Sequence, residues 1–336
     1  MAFKETSITS QPLAESSLMQ RLRGALLSQE GVLFLILVIS VIVLSLNTDR
    51  FLQPSNLLTQ ARLLVEIGLV ALPMTFIIIT GGIDLSVGSI LGLTAIMIGV
   101  GWQALGLPLE LSIALAITIA TLCGFVNGLF IVRVGVPPLI MTLATLALYR
   151  GLAQGISEGR SVRGYPEWFF QLGQGDFLGL PTQIWLLIVG VIVSWVILAR
   201  TTFGRTLYAI GNNETAARFS GLNVDRAKLI IYSYSGFMAG LAGWIFVSRV
   251  TTTRSDMGSG LELDVIAAVV LGGTSIFGGT GSITGTVIGM VLIQLLKNGL
   301  ALNGVTQDAT IIVIGLVLIL AILVNNFIQS QRQKGK

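Results

Sequence analysis

Histidine is absent from this 336-residue chain, and cysteine occurs once, at Cys123. A disulfide within one chain is thereby impossible, and metal or catalytic centres built on Cys and His are excluded. Without a histidine to act as base, the Ser-His form of nucleophilic catalysis has no foundation either. No GxxxxGK[ST] run is present, so the chain carries no phosphate-binding loop and is not itself an ATPase of that type. No basic patch interleaved with aromatics occurs, which argues against nucleic acid as a partner. Charge is scarce at 11% of residues, where soluble domains carry about 25%. That scarcity leaves little room for a soluble domain.

What fills the chain instead is apolar: 53% of residues are hydrophobic and the mean hydropathy is +0.87. A spanning helix needs roughly 20 apolar residues at about 1.5 Å each. Ten candidate spans meet this at 30–47, 62–80, 86–105, 111–132, 138–155, 183–199, 228–249, 262–277, 283–303 and 308–328. The expected fold class is therefore an all-α polytopic membrane protein with about ten transmembrane helices. Residues 1–29 read as a cytoplasmic tail, 30–328 as the membrane domain and 329–336 as a second cytoplasmic tail. Arg21 and Arg23 precede the first apolar run, which reads as an anchor with the N-terminus inside. Of the 20 Lys and Arg residues, this topology places 12 inside and 8 outside, a bias of the expected sign.

Glycine numbers 40, well above the usual share of about 7%. Four GxxxG pairs fall within spans: Gly88/Gly92, Gly124/Gly128, Gly236/Gly240 and Gly285/Gly289. Because lipid offers helices no hydrophobic drive to associate, small residues that let backbones touch supply the packing. These pairs read as intramolecular contacts before they read as a dimer seam. Pro73 falls mid-span, where a kink is expected. Pro166-Glu-Trp-Phe-Phe, in the outer loop 156–182, reads as a short interfacial helix.

One polar island interrupts the apolar sequence, Arg200 to Lys228. Its five basic and two acidic residues place it inside. Asn212-Asn213 followed by Glu214 predicts an Asn-capped start for a short helix at 213–220, and Gly221 its end as a C′ glycine. Glu214, Ala216, Ala217 and Gly221 are the candidate ATPase-coupling residues. Ala216 and Ala217 are read as facing a closely packed partner, with Glu214 and Arg218 paired along one side.

Two glycine-rich joints frame this island in the sequence. In Thr80-Gly-Gly-Ile-Asp-Leu-Ser-Val-Gly-Ser89, Gly81 and Gly82 permit a tight reversal, and Asp84 and Ser86 are expected to cap the following helix. The segment reads either as a structural turn or as a joint beside a translocation path. The second joint runs Leu271-Gly-Gly-Thr-Ser-Ile-Phe-Gly-Gly-Thr-Gly281. Charges in the spans sit near their ends: Arg62 and Glu66 one turn apart, Asp264 and Lys297. None lies at a span centre, where a charge usually marks ion or proton coupling. Asn127, Thr142, Thr145, Tyr149, Gln294 and Asn298 are candidate pore-lining groups for a hydroxylated solute, or else helix–helix hydrogen bonds.

With those residues on the page, the chain resembles the permease subunits of ribose-type sugar ABC importers, in the branched-chain amino acid/sugar permease superfamily. The resemblance covers about residues 31–328. It is carried by TGGIDLSVGS at 80–89, GRTLYAIGNNETAARFSGLNV at 204–224 and ELDVIAAVVLGGTSIFGGTGSITGTVIG at 262–289. Thr251-Thr-Thr-Arg-Ser-Asp-Met257, with IGLVALPMT at 67–75, leans toward its rhamnose or furanosyl-autoinducer members. The resemblance implies a permease fold of the vitamin-B12-importer type in a bacterial inner membrane. Its implied partners are an ABC ATPase subunit, a second permease chain (identical or related), an extracytoplasmic sugar-binding protein and the lipid bilayer. It implies no cofactor. It also makes Glu214-Thr-Ala-Ala217 with Gly221 the counterpart of the family's coupling motif, departing from it at Thr215. A self-contained secondary carrier for a small polar solute is the alternative function.

Overall fold

The computed structural model describes residues 29–334. Residues 1–28, including Arg21 and Arg23 of the expected anchor, and residues 335–336 lie outside the described residues. The chain runs α1 (Gln29–Asn47), α2 (Pro54–Ile79), α3 (Val87–Gly99), α4 (Leu109–Leu129) and α5 (Pro138–Ser157). A short helix α6 (Glu167–Gln174) and a minimal hairpin, β1 (Asp176–Phe177) with β2 (Leu180–Pro181), follow. Next come α7 (Thr182–Arg200), α8 (Thr202–Asn212), α9 (Glu214–Phe219) and α10 (Val224–Val250). The chain ends in α11 (Leu261–Leu271), α12 (Ile283–Leu302) and α13 (Gln307–Lys334). One π-helical turn extends α3 over Val100–Ala104 and another extends α4 over Phe130–Val134. Residues 329–334, read from sequence as tail, continue the last helix.

Helix α2 shows why this is a membrane bundle with a protein core. Every residue from Val65 to Ile79 is buried, so the helix is apolar on all sides and sits among others. It runs unbroken through Pro73, entered by Pro54 at a position where a missing N–H costs nothing. Around α2 stand α7, α10, α11 and α12, with α4 against α10. The outer helices turn apolar residues outward: Ile140, Leu143 and Leu148 on α5, and Val189, Ile192 and Val193 on α7, are all exposed. In water such a surface would aggregate; against lipid it is the expected face.

The GxxxG pairs are spent inside the chain. A Cβ on Gly124 would strike the Tyr232 carbonyl, and one on Gly236 the Ala120 carbonyl, so α4 and α10 cross backbone against backbone. Gly285 and Gly289 likewise meet the carbonyls of Gly272 and Ala268. Gly88 and Gly92 lie against the carbonyls of Gly258 and Met257.

Among the described residues, seven helices are long and apolar enough to cross a membrane, and α1 and α13 carry two further apolar stretches, Gly31–Asn47 and Gln307–Ile319. Some local expectations need correction. The expected span at 262–277 is a half-helix: the 11 residues of α11 rise only about 16 Å. The backbone that follows, to Gly281, is irregular and packed in protein against the ends of α2, α8 and α12. Arg62 does not pair with Glu66. Arg62 reaches Asp176 in the hairpin at 2.7 Å, while Glu66 takes Arg249 of α10. The segment at Pro166 is helical as expected, yet its Phe169 is buried and its backbone is fixed to Ser248 of α10.

Candidate functional site

The polar island folds as two short helices at one end of the bundle. Thr201 Oγ1 accepts from Gly204 N and starts α8. Asn213 Oδ1 accepts from Ala216 N at 2.9 Å and starts α9. At the other end of α9, Gly221 adopts φ +80°, a left-handed conformation that suits glycine. There Gly221 N donates to Arg218 O and Leu222 N to Ala217 O, the paired bonds of a Schellman ending. Six residues would not hold a helix alone. Here both ends are clamped.

An ion network fixes α9 sideways. Glu214 takes Arg218 at 3.0 Å and Lys228 at 2.7 Å, and Arg218 also reaches Asp225 at 2.6 Å. Burial pushes the Glu214 carboxyl upward, but the hydrogen bonds and charges of Lys228 and Arg218 outweigh it and hold the group below its ordinary 4.5. A depressed carboxylate contributes stability at neutral pH that fades as pH falls below that ordinary value. The expected Glu214–Arg218 pair is therefore present, within a larger network. One expectation is overturned: Ala217 is buried against its own chain, whereas Ala216 is exposed and Phe219 is 89% exposed. The large apolar group offered outward is Phe219.

Behind this pair of helices the sharpest sequence blocks meet. Gly279 N donates to the Ile79 carbonyl at 2.9 Å, and the Tyr208 hydroxyl donates to Gly281 O at 2.7 Å. A Cβ on Gly211 would fall on that same Ile79 carbonyl. The end of α2, the end of α8 and the second glycine joint thus touch backbone to backbone.

The first joint is a buried knot. Gly81 takes φ +79°, and Gly82 is small because its Cβ would stand 2.7 Å from the Tyr232 hydroxyl. Asp84 and Ser86 do not cap α3 with their side chains. Ser86 N and Ser86 Oγ instead donate to Asp84 Oδ1 at 3.0 and 2.6 Å, and Ser235 Oγ of α10 donates to Oδ2 at 2.9 Å. Asn127 Nδ2 of α4 donates to Ser86 Oγ at 2.8 Å. Asp84 is wholly buried, so it ties elements together and does not border open space.

Of the candidate pore-lining groups, four are consumed the same way. Asn127 is bonded to the knot, and the Tyr149 hydroxyl donates to Cys123 O at 3.0 Å. Thr142 Oγ1 donates to Ile83 O, and Thr145 bonds its own helix. All four are buried, so none of them borders open space in this chain. Gln294 and Asn298 are also buried and bonded, but in a different place.

Those two line a cavity of about 780 Å³ at the opposite end of α10 from α9. The 27 residues of α10 separate the two by about 40 Å. Glu66 and Arg249 form a two-point ion pair in its wall, at 2.7 and 3.0 Å. Asp264 of α11 and Lys297 of α12 form a second, and Arg254 and Asp256 of the loop a third. Gln294 Nε2 donates to Gln60 Oε1 at 2.6 Å, and Asn56 and Asn298 exchange amide hydrogen bonds at 3.1 and 2.9 Å. Sequence reading found Asp264 and Lys297 but not their pairing, because 33 residues and a joint separate them.

The chain belongs to the family described as "Branched-chain amino acid transport system / permease component", which matches residues 55–322. It is similar to the ribose import permease protein RbsC of Bacillus subtilis (strain 168), 43% identical over 87% of this chain and 91% of that one. It is also similar to RbsC of Escherichia coli (strain K12), 38% identical over 90% and 94%. The autoinducer 2 import system permease protein LsrD of Photorhabdus temperata is 37% identical over 88% and 90%. Relatives of both names match, so the lean read at 251–257 separates neither. No solved structure matches the chain.

Proposed function

We propose that this chain is the membrane-spanning permease subunit of an ATP-driven importer. Its solute is a monosaccharide or similar small polyol, delivered by an extracytoplasmic binding protein. The observation that carries this reading is α9, clamped at both ends and presenting Phe219 on the end of the bundle away from the polar cavity. A chain without a phosphate loop needs force from another subunit, and α9 with Glu214, Ala216 and Gly221 is where an ABC ATPase docks. The pore is completed by a second permease chain in an arrangement of the vitamin-B12-importer type. Among the described residues the cavity's acids, Glu66, Asp256 and Asp264, are each paired with a base, which weighs against the self-contained alternative.

The test is reconstitution in liposomes. With the ATPase and a sugar-loaded binding protein, ATP hydrolysis should rise and sugar should accumulate. The chain alone should do neither, and uptake by the chain alone under a proton gradient would overturn the importer reading.

The charge bias supports a bacterial inner-membrane location with both termini and α9 in the cytoplasm. In a Cys123→Ala background, an impermeant thiol reagent outside right-side-out cells should miss Asn213→Cys and modify Glu158→Cys. Modification of the first site reverses the orientation.

A further inference from the structure

We propose that the cavity between α2, α10, α11 and α12 is a binding site for one neutral, multiply hydroxylated solute of monosaccharide size. The proposal rests on the importer reading and gives it a place in the fold. The volume of about 780 Å³ lies within the roughly 300–1,000 Å³ range of small-molecule sites. Three acids and three bases line it, Glu66, Asp256 and Asp264 against Arg249, Arg254 and Lys297, each acid joined to one base. The wall is thus rich in polar groups yet carries no net charge. An anion or cation finds no free counter-charge there.

A zwitterionic amino acid fits no better. Its carboxylate and ammonium groups would each have to displace a partner from a formed pair, and Arg249 holds Glu66 through two bonds. Breaking such a pair leaves a buried charge uncompensated. A polyol asks for less, since hydroxyls both donate and accept and can use what the pairs leave over. Those leftovers are present. Among the described residues, Gln294 Oε1 and Asp264 Oδ1 accept no hydrogen bond, and Lys297 Nζ donates only to Asp264. Gln294 and Lys297 are three residues apart on α12, so they share a face. Phe246 and Leu261 supply apolar wall for the C–H side of a ring.

The test is ligand-observed saturation-transfer NMR on the full chain in nanodiscs, with D-ribose, D-xylose, L-rhamnose, ribitol, L-leucine and ribose 5-phosphate as probes. At least one of the four neutral polyols should show saturable transfer, and leucine and ribose 5-phosphate should not. Gln294→Leu should weaken that binding about tenfold, the factor governed by one hydrogen bond. Ser259→Trp, an exposed rim position, should block binding while leaving the buried pairs and thermal unfolding unchanged. No transfer from any of the four polyols, equal transfer from leucine, or wild-type binding in Ser259→Trp overturns the site. Failure of the importer reading is a separate result: a wild-type complex whose ATP hydrolysis ignores loaded binding protein.

Discussion

A Phe219→Asp chain is expected to insert, fold and bind solute normally, yet lose its ATPase partner. Phe219 is 89% exposed at the last position of a six-residue helix. That helix is held by an Asn cap, a Schellman ending and ions from α10. An aromatic ring so exposed in a short rigid element gains by burial in a partner's cleft, and interface energy concentrates in a few such anchors. Aspartate removes the ring and adds a charge that the cleft would have to desolvate. The loss should be about 2 kcal/mol or more, some thirtyfold in association. Co-purification of the ATPase and its stimulation by loaded binding protein measure it. Normal coupling in this variant would place the contact elsewhere. Ala217→Trp would disrupt the clamp itself, because Ala217 is packed inward.

Asp84→Leu should be the most damaging substitution in the interior. Asp84 accepts from Ser86 N, Ser86 Oγ and Ser235 Oγ, and all of these groups are buried. Leucine leaves three donors without an acceptor, at about 1–3 kcal/mol for each group that finds no other. That total approaches the whole net stability of a folded domain, about 5–15 kcal/mol. The midpoint of heat unfolding in detergent should fall sharply and transport should vanish. Asp84→Asn, which keeps one acceptor oxygen, should recover part of the lost stability. A wild-type midpoint in Asp84→Leu would show that the knot does not hold α3 to α10.

Much of the architecture was legible in advance. Long apolar runs have one solution in a bilayer, because every backbone N–H and C=O must be satisfied within its own segment. An Asn cap at 212–213 and the closing Gly221 were readable for a related reason: such bonds are local, made within three or four residues. The GxxxG pairs were also read correctly as packing, though not which helices they join.

Contacts made across the fold were not legible. The Glu66–Arg249 pair spans 183 residues and the Asp84–Ser235 bond 151. The nearer partner in sequence, Arg62 for Glu66, was the wrong one, since Arg62 meets Asp176. Span eight failed on length: its apolar run continues past Leu271 into glycine, and only packing decides where the helix stops.

The sequence by itself determined that the chain lives in a membrane, that its helices pack through glycine, and that one polar loop carries a doubly capped helix. Composition, period and local hydrogen bonding are properties of neighbours along the chain. Only the tertiary structure decided which polar groups face a cavity and which are consumed. All six candidates are buried, but Asn127, Thr142, Thr145 and Tyr149 are bonded within the bundle, while Gln294 and Asn298 are bonded to Gln60 and Asn56 in the wall of the cavity. A span's polar residue carries no mark of its direction, because that depends on which helix packs beside it.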